Sequence, residues 1–174
     1  MVGHDRVLSA ARLILRGFLL INVAAGVLFA VAILVSFPMS GALLARLTYK
    51  YGPTMDVAAI VWGIRLLMLA SIGAAAVLRR IFLALLAIVD TVRAGDPFTE
   101  ANAVRLQTIA WGMLVLQVLD LGLGAFTGWA RLMRFDFVDW NPSFSGWITV
   151  LMLFVLARVF QRGAEMRDDL AMTV

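Results

Sequence analysis

Residues 17–36, GFLLINVAAGVLFAVAILVS, run without a single charge. As a helix, about 20 apolar residues cross the roughly 30 Å hydrocarbon of a bilayer, and any fold for this chain has to accommodate that run first. It recurs: apolar stretches also occupy 57–92, 108–128 and 146–160. Together they make 63% of the 174 residues hydrophobic and leave 15% charged, with a mean hydropathy of +0.95. A soluble domain of this size has too much surface for its volume to hide so many apolar side chains. Disordered chains have the opposite composition. The fold class that remains is all-α, an integral membrane four-helix bundle.

The stretch 57–92 is too long for one crossing, since 36 residues of helix measure about 54 Å. A bilayer window at 57–78 contains one charge, Arg65, whereas 66–89 contains two, Arg79 and Arg80. Each central arginine costs about 2.5–3.5 kcal/mol on insertion scales, so the spans are read as about 17–36, 57–78, 108–128 and 146–160. Residues 1–16 read as a helical lead-in rather than a cleaved leader, because the apolar run is long and further spans follow. The fourth span has the least certain start: only some 15 residues are plainly apolar, fewer than the roughly 17 a crossing needs. Part of 139–144 or the Arg158 turn has to join it.

Four spans place both termini on one side. The N-terminus, central hairpin and C-tail hold Arg6, Arg12, Arg16, Arg79, Arg80, Arg93, Arg105, Arg158, Arg162 and Arg167, against Arg46, Lys50, Arg131 and Arg134 in the other two loops. The excess of basic residues marks the cytoplasmic side. Both termini are therefore expected in the cytoplasm, with helical extensions of spans two, three and four projecting into it. Tyr49, Tyr51, Trp129 and Trp140 then fall in two short outer loops, near 37–56 and 129–145, where they read as interfacial anchors.

Little in the sequence carries chemistry. There is no cysteine, and the single histidine, His4, lies outside the apolar runs, which removes the usual ligands of zinc, haem and iron–sulfur groups. No phosphate-binding loop, dinucleotide fingerprint or nucleophile elbow is present. No metal, cofactor or catalytic residue is expected, and the protein reads as a non-enzyme. The basic pI near 10.6 comes from arginines scattered between apolar runs, a topology signal rather than a nucleic-acid patch.

The strongest physical signal is a pair of intramembrane charges. Arg65 and Asp120 each lie eight residues from the outer end of their spans, about 12 Å deep at the helical rise. Such charges usually face the bundle and pair, so an Arg65–Asp120 ion pair is expected, with Gln117 almost one turn from Asp120 as a further hydrogen-bonding group. The pair reads either as a structural lock or as an ion or solute site. Gly124 and Gly128 form a GxxxG, a spacing that permits close helix approach, within the chain or between copies.

The central hairpin, about 79–107, is more distinctive. Gly95 suits a helix stop, Thr99 an N-cap, and Phe98 a staple behind that cap. The apolar residues Ile81, Phe82, Leu85, Ile88 and Val89 recur at helical spacing and require cover from headgroups, the C-tail 161–174 or a partner. The arginines and acids of the tail read as local ion pairs or as a docking surface.

The segment Gly95-Asp-Pro-Phe-Thr-Glu-Ala-Asn102, followed by Arg105-Leu106, resembles the characteristic loop of domain of unknown function 2975, a YoaS-like family of bacterial integral membrane proteins. The tail is similar as well, through Leu156, Val159, Phe160, Gly163, Arg167, Asp168, Asp169 and the terminal Thr173-Val174. The resemblance covers about 8–174. It implies four membrane helices in a bacterial cytoplasmic (inner) membrane and brings no catalytic residue. Members of that family are often encoded beside a small helix-turn-helix regulator, which implies a regulatory membrane partner. Two functions follow as expectations: an interaction protein whose hairpin and C-tail, with Arg158 and Arg167, bind a regulator or a larger membrane complex, or a small-solute or ion transporter working at Arg65 and Asp120.

Overall fold

A computed structural model describes residues 2–52, 56–132 and 140–171. Among these are five helices and no strand: α1 (Val2–Ser36), α2 (Ser40–Tyr51), α3 (Val57–Arg93), α4 (Glu100–Leu132) and α5 (Ser145–Ala171). All but α2 are long and apolar enough to cross a membrane. At most 17% of each apolar window is buried inside the protein, and side chains such as Leu20, Leu34, Leu69 and Leu151 point outward. Water would penalise that arrangement at about 25 cal/mol per Å2. In lipid the penalty vanishes, because hydrocarbon is as apolar as leucine.

The chain divides into two compact units. One comprises Met1–Asn22, Val77–Gln117 and Ser143–Val174, and the other Val23–Ala76 and Val118–Pro142. The core of the first is Ile81, Leu106, Ile109 and Ala157, with Leu85, Ile88, Met113, Leu153 and Phe160 packed around it. These residues fall at three- and four-residue steps along α3, α4 and α5, so each helix presents one apolar stripe inward. Phe82 stacks on Phe18 of α1 at 6.0 Å, and Trp111 meets Phe154 edge-on at 5.3 Å. The apolar face past residue 80 is thus partly covered from within the chain, with Ile81 buried and Phe82, Leu85, Ile88 and Val89 half-buried.

In the second unit Val57, Ile60 and Val61 are buried at the start of α3. Here the structure departs from the expected short loop at 37–56, because α2 occupies most of it. Its Ser40, Leu43, Leu44 and Leu47 are half-buried while Arg46, Tyr49 and Lys50 are exposed, which makes it a one-sided amphipathic helix. At 12 residues it is too short to span. The uncertain start of the fourth apolar stretch is also resolved at the level of the helix: α5 begins at Ser145 and continues unbroken through Arg158, so Asn141 and Pro142 lie outside it.

Candidate functional site

In the first unit, the turn between α3 and α4 is tightly built. Gly95 has φ +85°, the left-handed conformation that only glycine adopts without a steric cost. Its N–H donates to Val92 O at 3.1 Å, and the Asp96 N–H donates to Thr91 O at 3.1 Å. That pair of bonds is a Schellman ending, satisfying carbonyls that the last turn leaves open. On the other side Thr99 caps α4, its Oγ1 accepting from the Asn102 N–H at 3.2 Å.

The side chain of Asn102 locks the two helix ends together. It is fully buried, and its Nδ2 donates to Thr91 Oγ1 at 2.7 Å and to Pro97 O at 2.9 Å. Its Oδ1 accepts from Arg105 Nη1 at 2.8 Å. The Thr91 hydroxyl in turn donates to Ile88 O at 2.8 Å. A buried amide without partners costs several kcal/mol; here both ends are satisfied, so the network fixes one geometry for the turn.

Two contacts tie this turn to α5. Arg167 forms an ion pair with Asp96, and Phe98 lies on Phe160 with ring centres 5.0 Å apart. A Cβ at residue 163 would stand 3.1 Å from the Phe98 ring, so Gly163 gives the ring a close approach to α5. Phe98, expected as a staple behind the Thr99 cap, packs on α5. On α1, Arg12 pairs with Asp90 at 3.3 Å. Arg158 donates to Gln161 Oε1 at 2.9 Å; beside it an open groove of about 280 Å3 runs between α4 and α5, walled by Ala103, Val104, Phe154 and Ala157 and rimmed by Glu100 and Gln107. Asp169 is exposed. The Asp168 side chain, the side chains of His4 and Tyr51, and Arg134, Thr173 and Val174 lie outside the described residues. Gln117 belongs to this unit, where its amide lies against Gly146 of α5.

In the second unit the expected Arg65–Asp120 ion pair is not formed. Arg65 is 8% exposed. Its Nη2 donates to Ser36 O at 2.8 Å and its Nε to Ser36 Oγ at 3.1 Å. Ser36 is the last residue of α1, so the guanidinium caps a helix C-terminus, where the dipole places about half a negative charge. The rings of Phe37 and Trp62 lie 4.2 and 5.0 Å from it. Asp120 instead accepts from the indole Nε1 of Trp140 at 3.2 Å. A helix end and two π faces replace the carboxylate.

Within the chain, the two glycines of the expected seam have different neighbours. The Trp140 indole covers Gly124, whose Cβ position is 2.6 Å from the ring, and no described atom outside its own helix comes within 4 Å of the Cβ position at Gly128. Within the chain, Gly124 accommodates the Trp140 ring. Ser36 and Thr91 belong to no motif legible in the sequence. A hydroxyl residue ending an apolar run was the available signal for Ser36; nothing local marks Thr91, whose partner lies 11 residues away.

No family model, curated protein or solved structure matches the chain.

Proposed function

We propose that this is a multi-pass inner-membrane protein of interaction type, with both termini cytoplasmic, whose α3–α4 turn and the C-terminal half of α5 dock a cytoplasmic regulator or a larger membrane complex. The observation that carries this reading is the turn itself. A fully buried Asn102 network, a glycine-ended helix and the Arg167 and Phe98 contacts hold one rigid surface, and the polar-rimmed groove opens directly beside it. Rigid presentation lowers the ordering cost of association. The similarity of 95–106 and the tail to the YoaS-like family, with its neighbouring helix-turn-helix regulators, supports the same reading. The transport reading draws less support, because Arg65 and Asp120 are engaged separately.

The test is a photo-crosslinking residue at Val104, which is 56% exposed on the groove wall, used in intact cells. One discrete protein adduct is expected, lost on Arg158→Glu while the melting temperature of the purified variant is unchanged. Adducts to lipid alone at Val104 would remove the proposal.

A further inference from the structure

The groove between α4 and α5 lies wholly within the first unit, and its two walls follow one pattern. Residues 100, 103, 104 and 107 line it from α4, and 154, 157, 158 and 161 from α5. Each set advances by three, one and three residues, which keeps it on a single helix face. Ala103 and Ala157 lie deepest, 6% and 8% exposed. With alanine at both positions, no side chain of the protein itself fills the space of about 280 Å3. Val104 and Phe154 stand beside them as apolar shoulders.

The rim carries two opposite charges, one on each wall. The Phe98–Phe160 contact closes one end of the groove and the Trp111–Phe154 contact lies toward the other, so the two helices run antiparallel past it. Glu100 and Arg158 are each two residues inward from the first contact, which places acid and base at about the same level. They form no ion pair with each other. Among the described residues Glu100 has no hydrogen-bond or ion-pair partner, and Arg158 donates only to the neutral amide of Gln161, at 2.9 Å. The groove therefore presents an apolar bed with an acidic wall on α4 and a basic wall on α5, both charges exposed and open to a partner.

Both walls lie inside helices, whose backbone N–H and C=O groups are already bonded along α4 and α5. They offer no strand edge on which an extended segment can pair. A helix brings a backbone that satisfies itself, and the small residues of the bed permit its close approach. From 100 to 107 the groove measures about 10.5 Å, two turns of such a helix. We propose that the groove receives one helix of the docked protein, with an apolar side chain over Ala103 and Ala157, a lysine or arginine toward Glu100 and an aspartate or glutamate toward Arg158. Opposed flanking charges also set the direction of that helix, as they do in coiled coils. The proposal rests on the docking function and names the chemistry of what docks.

The experiment places photoreactive benzoylphenylalanine at Phe154 or at Gln161 of the full chain in intact cells and sequences the adducts by mass spectrometry. The two positions are seven residues apart on the α5 wall. A helix lying along the groove is expected to be captured at sites about seven residues apart in the partner, whereas an extended segment over the same distance gives about three. With the crosslinker at Val104, adduct yield should fall at least about tenfold in Glu100→Arg as it does in Arg158→Glu, because each change sets like charges together. The double exchange reverses both walls and should not restore it, while melting temperatures confirm that all three variants fold. Capture sites about three residues apart, or undiminished yield in folded Glu100→Arg, would overturn the proposal. So would recovery in the double exchange, the signature of a second copy of the chain pairing with itself. These outcomes remove the helix and leave docking standing; the absence of any protein adduct at Val104 removes both.

Discussion

Asn102 shows how one side chain sets the energetics of a turn. Its amide serves two acceptors and one donor in a site closed to water, so truncation leaves several buried groups unpaired at once. Each costs about 1–3 kcal/mol, and Asn102→Ala is expected to destabilise by about 3 kcal/mol, visible as a lower melting temperature in detergent. Arg105→Lys keeps the charge but loses the planar fork that reaches Asn102, and should cost about 1 kcal/mol. A melting temperature unchanged by Asn102→Ala would show the network to be incidental. Arg65 marks how far such reasoning reaches from sequence. Its burial was legible, because a charge inside an apolar run has to turn inward. Its partner was not, because helical spacing ranks side-chain charges and is blind to a helix-end carbonyl or an aromatic face.

At the scale of elements, the four long helices were readable because length and hydropathy suffice to specify them. The helix α2 was not: it is too short and too polar for a span, and its Leu43, Leu44 and Leu47 form too brief a stripe to separate from a loop. The turn between α3 and α4 lies between these cases. Glycine stop and threonine cap were legible from local chemistry, whereas the clasp to α5 depends on tertiary placement. That clasp is testable. Both partners of the Arg167–Asp96 pair are about half exposed, so their coupling should be below about 1 kcal/mol and weaken with salt. Asp96→Arg or Arg167→Asp alone should lower the melting temperature slightly, and the double exchange should restore it. Gly95→Ala acts differently. It forces a Cβ into the φ +85° conformation, at about 1–2 kcal/mol, and no second-site charge should rescue it.

For the whole molecule, the four candidate spans and the outward-facing leucines leave the sidedness to be decided by charge. If all four helices cross, the N-terminal segment and the tail share one side with the turn between α3 and α4. The arginines of those three regions outnumber the basic residues of the other two loops, and translocating them would be opposed at every one of them. The amphipathic α2 fits the opposite side, with Leu43, Leu44 and Leu47 packed inward while Arg46 and Tyr49 are exposed; as a short helix with one polar face it suits an interfacial position. A reporter active only in the cytoplasm should therefore be active when fused after Val174 and silent when inserted at Thr48, and a reporter active only outside should give the reverse. Moving the balance should move the answer: replacing Arg79, Arg80 and Arg93 with glutamine while adding lysines beside Arg46 is expected to produce a mixed population, since the bias, and not the apolar runs, sets orientation. A wild-type Val174 fusion on the outside would put the Asn102 turn beyond reach of any cytoplasmic regulator and end the docking proposal, while leaving the packing of both units as it stands.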